Sequence, residues 1–281
     1  MFRSLGTGAL GVQVDGLADG LGLAAQYGFA GYNFSIGEVA VLGAERAMDL
    51  AAEHGVRLAS WGFPVDFRGE ESQYRQDMEH LPELVKVAGA LGVSRTATWV
   101  MPASDELTYE QHFAFHVERL RPAAVVLGGE GISLGLEYIA PKTLRSNKKY
   151  AFAHTMEQMQ ELCEAVGENV GFLLDSWHWY TAHETVDDLR SLRADQVVDV
   201  HVNDAPTGVA VDEQLDHVRE LPGVTGVIDI KGFLRTLQEI GYQGPVMVEP
   251  FSQRVREMER EEAVAATAAA LDRVWEQAGL V

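Results

Sequence analysis

The chain has 281 residues, of which 42 are acidic and 22 basic, for a formal net charge of −20. That length suits one large α/β domain or two small ones and is enough to bury a substantial core. The acidic balance disfavours duplex DNA or an anionic membrane as the main partner, because binding phosphate needs a basic face; it otherwise fits a highly charged, soluble surface.

The only cysteine, Cys163, rules out intrachain disulfides and cysteine-cluster metal sites. The opening MFRSLGTGALGVQVDG lacks the unbroken apolar stretch of a secretory signal, and no run is long enough to span a bilayer. The expectation is a soluble cytoplasmic protein.

Taken in order, strand signals alternate with helix signals. SLGTGAL (Ser4 to Leu10) reads as a strand and Gly16 to Gly28 as a helix. GYNFSI (Gly31 to Ile36) precedes a helix at Gly43 to Gly55, and RLASWGF (Arg57 to Phe63) precedes one at Met78 to Gly92. RTATWVM (Arg95 to Met101) and SLGLEYI (Ser133 to Ile139) are the next strands, and a helix follows at Thr155 to Gly167. VGFLLDSWH (Val170 to His178), VVDVHVND (Val197 to Asp204) and GPVMVEPF (Gly244 to Phe251) complete the strands. The last helices are Ile230 to Gly241 and Arg260 to Gly279.

Most helical runs end on glycine, a usual C-terminal cap, and repeat apolar residues at three- and four-residue spacing. Eight strands with intervening helices predict a single-domain (β/α)₈ TIM barrel. An open doubly wound sheet is the other reading, but SLGTGALG lacks the G-x-G-x-x-G fingerprint and its trailing acidic residue. Two long irregular segments, Ala140 to Ala153 and Asn203 to Asp229, follow the fifth and seventh strands. In a barrel they lie over the active site.

Glu137, Asp175, His201 and Glu249 close four successive strands. Strand alternation puts Asp199, His201 and Asn203 on one face, with Val198, Val200 and Val202 on the other. It likewise groups Glu249 with Met247 and Phe251, and Asp175 with Leu173 and Trp177. All four polar residues can then point inward at the barrel's C-terminal end. Three carboxylates and an imidazole aimed at one spot repel one another unless a cation sits between them. Mostly hard oxygen donors favour one Mn²⁺, Mg²⁺ or Co²⁺ ion, with Zn²⁺ also compatible.

The segments GLEY at Glu137, LLDSWH, VHVND, RELPG and IGYQGPVMVEPF resemble, in order and spacing, the xylose-isomerase-like sugar isomerase and epimerase superfamily. The resemblance spans nearly the whole chain and is strongest from Ser133 to Phe251. It implies that Glu137, Asp175, His201 and Glu249 are metal ligands, with Mn²⁺ the leading ion, and that Glu137 and Glu249 are the catalytic acid/base pair. It also implies substrate contacts by His178 and Arg219. The family's P-G-E-G stands here as P-G-V-T-G, which leaves the geometry of that loop open, and LEYIAPKTLR departs from the segment usual in ketose 3-epimerases. Homodimers and tetramers are common in the family, so a homo-oligomer is compatible with the resemblance.

Trp61 and Trp99 end two strands; they either pack on sugar C–H faces or simply fill the barrel mouth. Trp177 and Trp179 flank His178 and admit the same two roles. Lys142 and Arg145 either bind an anionic group of the substrate or are solvated loop charges. Asp199, one layer below His201, orients a ligand or forms a structural polar pair. His183 and His217 read as surface residues.

The expected function is a metal-dependent sugar isomerase or epimerase that removes a proton beside a carbonyl through a metal-stabilised enediolate. Its substrate would be a small sugar or keto-polyol. A lyase or dehydratase acting on a keto-sugar or keto-inositol would use the same first step. A phosphodiesterase of the AP-endonuclease type needs further histidines where the strand ends read NFSI, SWGF and TWVM. A non-catalytic sugar-binding barrel would have no need of a complete ligand set.

Overall fold

The alternation resolves into eight parallel strands that close on themselves. The computed structural model describes residues 1–280. Its strands are β1 (Phe2–Leu5), β2 (Gly31–Phe34), β3 (Arg57–Gly62), β4 (Arg95–Val100), β5 (Ser133–Tyr138), β6 (Val170–Asp175), β7 (Val197–Val202) and β8 (Pro245–Val248). Each pairs with its neighbour in sequence, and β8 pairs back to β1. This is the (β/α)₈ barrel the sequence predicts.

Val200, Val202, Val246 and Val248 are buried under the helix ring. Burying each such side chain contributes roughly 1.5–3 kcal/mol. The opposite faces of the same strands carry Asp199, His201 and Met247 into the barrel. Register then aligns the site, with Trp99 opposite Glu137, and Asp175 and Met247 on either side of His201. No helix among the described residues is long and apolar enough to cross a membrane.

Several boundaries differ from expectation for physical reasons. The first strand stops at Leu5, and Thr7–Leu10 forms a helical turn capped by Gly11 in the left-handed region at φ 75°. The sixth strand ends at Asp175 rather than His178. The Asp175 carboxylate accepts a hydrogen bond from Trp177 N at 2.7 Å, capping the helix Ser176–Thr181. Trp177 therefore lies on a helix, not on the strand face with Leu173. The third helix starts earlier than read, at Glu71, and runs to Ala90.

A 20-residue helix, Tyr109–Gly128, follows β4, in a stretch for which the sequence pattern predicts no element. It begins with a capping box in which Gln111 N donates to Thr108 Oγ1 and Thr108 N donates to Gln111 Oε1. Tyr150–Ala151, within the segment expected to be irregular, pairs with Ala103–Ser104 as a small antiparallel ribbon.

The helix Tyr109–Gly128 buries His116, 1% exposed, against Phe67, Phe115 and Phe152. Its Nδ1 bonds His112 O at 2.8 Å, and Nε2 has no partner. Burial lowers the imidazole from its usual value of 6.5 to about 3. Because the folded state resists protonation, this group's stabilisation is full above pH 6.5 and is lost as pH falls toward 3. At about 1.4 kcal/mol per unit, the full effect is on the order of 5 kcal/mol. His116→Leu is expected to flatten the fall in melting temperature between pH 7 and pH 4, measured by circular dichroism. An unchanged slope would show that this ring does not set acid stability.

Candidate functional site

Four strand ends bring Glu137, Asp175, His201 and Glu249 together. Each offers one donor atom, and those atoms lie within 4.8 Å of one another. His201 Nδ1 is 4.0 Å from Glu137 Oε1 and 3.7 Å from Glu249 Oε2, beyond hydrogen-bond reach of both. Asp175 is fully buried, and its Oδ1 accepts from Asn203 Nδ2 at 2.8 Å. Asn203 Nδ2 also donates to Glu249 O at 3.2 Å, so one amide ties β6, β7 and β8 together.

The electrostatics follow from crowding charge in a dry place. Burial, then Glu249 and Asp175, hold the Glu137 carboxyl well above the usual carboxylate range. Burial alone would lower His201, but Glu249, Glu137 and Asp199 outweigh it and push the imidazole up to about 10. Glu249 is held below its ordinary value because His201 and Arg219 outweigh its burial. The cluster thus retains positive charge wherever it can.

Arg219 supplies part of that charge. Its Nη1 donates to Asp175 Oδ2 at 2.8 Å and Glu249 Oε2 at 3.2 Å, and its Nη2 donates to Asp216 Oδ1 at 2.8 Å. The guanidinium lies over the rings of Trp177, 5.2 Å from the centroid, and Phe251, at 4.6 Å. The loop carrying it is fixed by Asp204, whose N–H and C=O pair with Glu220 at 2.8 Å each way. The Asp204 carboxylate also accepts from Thr225 N, Gly226 N and Ile228 N at 2.7–3.1 Å. As the sequence predicts for Asn203 to Asp229, this segment covers the site.

His178 is buried and neutral: burial, then Arg219, lowers it to about 3. Its Nδ1 accepts from Ala140 N at 3.2 Å, which leaves the proton on Nε2. That Nε2–H lies 3.8 Å from Glu137 Oε1 and 3.5 Å from Arg219 Nη2. Two donors therefore face the same space.

That space is a cavity of about 340 Å³. Its polar lining is Glu137, His178, Asp216, Arg219 and Glu249, and its apolar lining is Trp99, Met101, Pro102, Ile139, Leu144 and Phe251. Phe251 takes φ 35°, an uncommon conformation for a side chain of this size, worth about 1–3 kcal/mol of strain. Trp99 reaches the cavity with its face covered by Arg68, 3.9 Å from the ring centroid. Trp61 is 2% exposed and lines a neighbouring cavity instead.

Lys142 is not brought to either space: its ammonium bonds Asp212 Oδ2 at 2.7 Å, and half of the side chain is exposed. The helix Lys142–Arg145 turns that ammonium outward while Leu144 faces the cavity. Asp199 lies on the inward face, as read, and accepts from Val200 N at 2.9 Å. His183 and His217 are exposed. Asp216 was not anticipated; its only signal is the i, i+3 spacing to Arg219 in DHVR.

The residues fit a divalent cation. Glu137 Oε1 and His201 Nδ1 are buried with no hydrogen-bond partner, although buried polar atoms are normally satisfied. Three carboxylates and one imidazole, each with an oriented donor, form a mixed O/N set for an ion of that charge.

The family model for the xylose isomerase-like TIM barrel matches residues 21–274. An inosose isomerase from Bacillus velezensis is 25% identical over 199 residues, covering 69% of this chain and 67% of that protein. A 3-dehydroshikimate dehydratase from Pseudomonas putida is 25% identical over 211 residues, 74% of this chain but only 31% of that longer protein. The structure of a xylose isomerase domain protein from Alicyclobacillus acidocaldarius superposes with a TM-score of 0.88 at 30% identity, covering 99% of both chains. With a model match across most of its length and a near-complete structural relative, the chain belongs to the xylose isomerase-like TIM barrel family.

Proposed function

We propose that the chain is a divalent-metal-dependent isomerase or epimerase of a hydroxylated ketone, a sugar or keto-polyol. The observation that carries this reading is the four-donor cluster with two buried, unpartnered donor atoms at one edge of a cavity. The inosose isomerase relative supports it at the level of reaction type.

Glu137, Asp175, His201 and Glu249 would hold the ion, which when bound supplies Lewis acidity beside the substrate carbonyl. Glu137 and Glu249 project from non-adjacent strands, β5 and β8, onto the same cavity. One carboxylate takes the proton from carbon next to the carbonyl, and the other returns a proton to the opposite face or to the next carbon. His178 Nε2–H and Arg219 donate to substrate oxygens and fix which carbon faces the carboxylates. The apolar wall, with Trp99 and Phe251, packs on C–H surface and excludes water.

A second reading, loss of a β-hydroxyl after the same proton abstraction, is favoured by the dehydratase relative. Product analysis separates the two. Metal binding itself is checked by titration calorimetry on chelator-treated protein. One Mn²⁺ or Zn²⁺ per chain is expected, with affinity reduced about 10–100-fold or more in His201→Ala and Asp175→Asn. Unchanged affinity in both variants would put the ion elsewhere.

A further inference from the structure

A second cavity, of about 450 Å³, lies on the other side of the donor cluster, over the ends of β1, β2 and β3. The two cavities share Glu249 and Phe251. Phe251, the residue with the unusual backbone, therefore stands as a partition between them, its ring held under Arg219 and Arg256. Each cavity alone falls within the roughly 300–1,000 Å³ of a small-molecule site. A single small ring would leave one of them to water.

The second cavity has its own chemistry. Asn33, Ser60 and Thr7 offer amide and hydroxyl groups, and no lysine or arginine lines it. Trp61, also in its wall, has a buried indole Nε1–H with no acceptor. With the Asp199 and Glu249 carboxylates in the lining against the single imidazole of His201, a phosphate or carboxylate there would meet mostly like charge. Gly8 and Gly62 also line it, and a Cβ at either would meet nothing within 4 Å. Neither has φ in the left-handed region. These glycines leave room that neither packing nor backbone conformation requires.

We propose that the substrate carries an uncharged substituent that occupies this second cavity while its ketone-bearing ring lies in the first. The substrate class is then an O-substituted ring ketone, such as a glycoside of an oxidised pyranose, rather than the free ring. This rests on the enolising reading above. The substituent packs over Gly8 and Gly62.

The test compares a pyranose oxidised to a ring ketone with its phenyl glycoside. Proton exchange in D₂O and calorimetric binding would be measured for the metal-loaded wild type, Gly8→Phe and Gly62→Phe. In the wild type, the phenyl glycoside is expected to be preferred by about tenfold or more in kcat/KM and in affinity, with each substitution cutting that preference by about tenfold. Two independent positions guard against one variant misfolding. Equal treatment of both compounds by the wild type, or substitutions that scale both alike, would overturn the second subsite. If neither compound exchanges with any metal, the enolising reading fails, and binding alone decides the subsite. Tighter binding of the glycoside that is lost in both variants upholds it, and equal binding overturns it.

Discussion

Glu137→Gln and Glu249→Gln are each expected to lower metal-dependent proton exchange by roughly 10²–10⁴-fold, the range for removing a positioned acid or base. Glutamine keeps the size and one oxygen of each side chain, so the barrel end should stay packed. The two losses have different companions. Glu137 Oε1 has no partner in the protein, so its amide leaves no neighbour stranded. Glu249 accepts from Arg219 at 3.2 Å and faces His201 at 3.7 Å, so its amide also loosens the charge balance around both. Glu249→Gln should therefore lose more metal affinity than a carboxylate deletion alone explains. Exchange kinetics alongside calorimetry at saturating metal separate the two effects. Full exchange in either variant would remove that carboxylate from the reaction.

Arg219→Met is expected to destabilise the metal-free protein by about 3–5 kcal/mol, because removing one partner of a buried ion pair leaves the other uncompensated. Here the partners left behind are Asp175, fully buried, and Glu249. A bound divalent cation would neutralise the same two carboxylates. Metal should therefore raise the melting temperature of Arg219→Met by more than it raises that of the wild type. Melting curves with chelator and with excess Mn²⁺ make the comparison. An equal shift in both proteins would mean that arginine and metal do not answer to the same charges, and that Arg219 serves only to pack the loop.

Much of this site was legible because strands alternate. In VVDVHVND the valines and polar residues separate onto two faces with a period of two, and that alone orients Asp199, His201 and Asn203 inward. The same rule fails one strand earlier. Asp175 caps a helix through Trp177 N, so the period changes at the residue that matters and Trp177 leaves the strand face. The helix Tyr109–Gly128 is not legible as an apolar stripe because His112 and His116 sit among its buried residues, where a pattern expects apolar ones.

Long-range pairing was out of reach. Arg219 and Asp175 are 44 residues apart, and only the closed barrel brings them to 2.8 Å. The resemblance pointed to Arg219 as a substrate contact. The structure adds that it also neutralises the cluster. Asp216 lies in an irregular loop with no period to reveal it, and Lys142, plausible beside Glu137 in sequence, is drawn away by Asp212.

Proton exchange in D₂O, followed by proton NMR, tests the central claim most directly. Protein stripped with chelator would be given Mn²⁺, Co²⁺, Mg²⁺ or Zn²⁺ singly and presented with a panel of ketoses and keto-polyols. Deuterium uptake beside the carbonyl, dependent on metal and lost in Glu249→Gln, is the predicted result. A protein that binds one ion at these four residues and exchanges no proton on any ketone would contradict it.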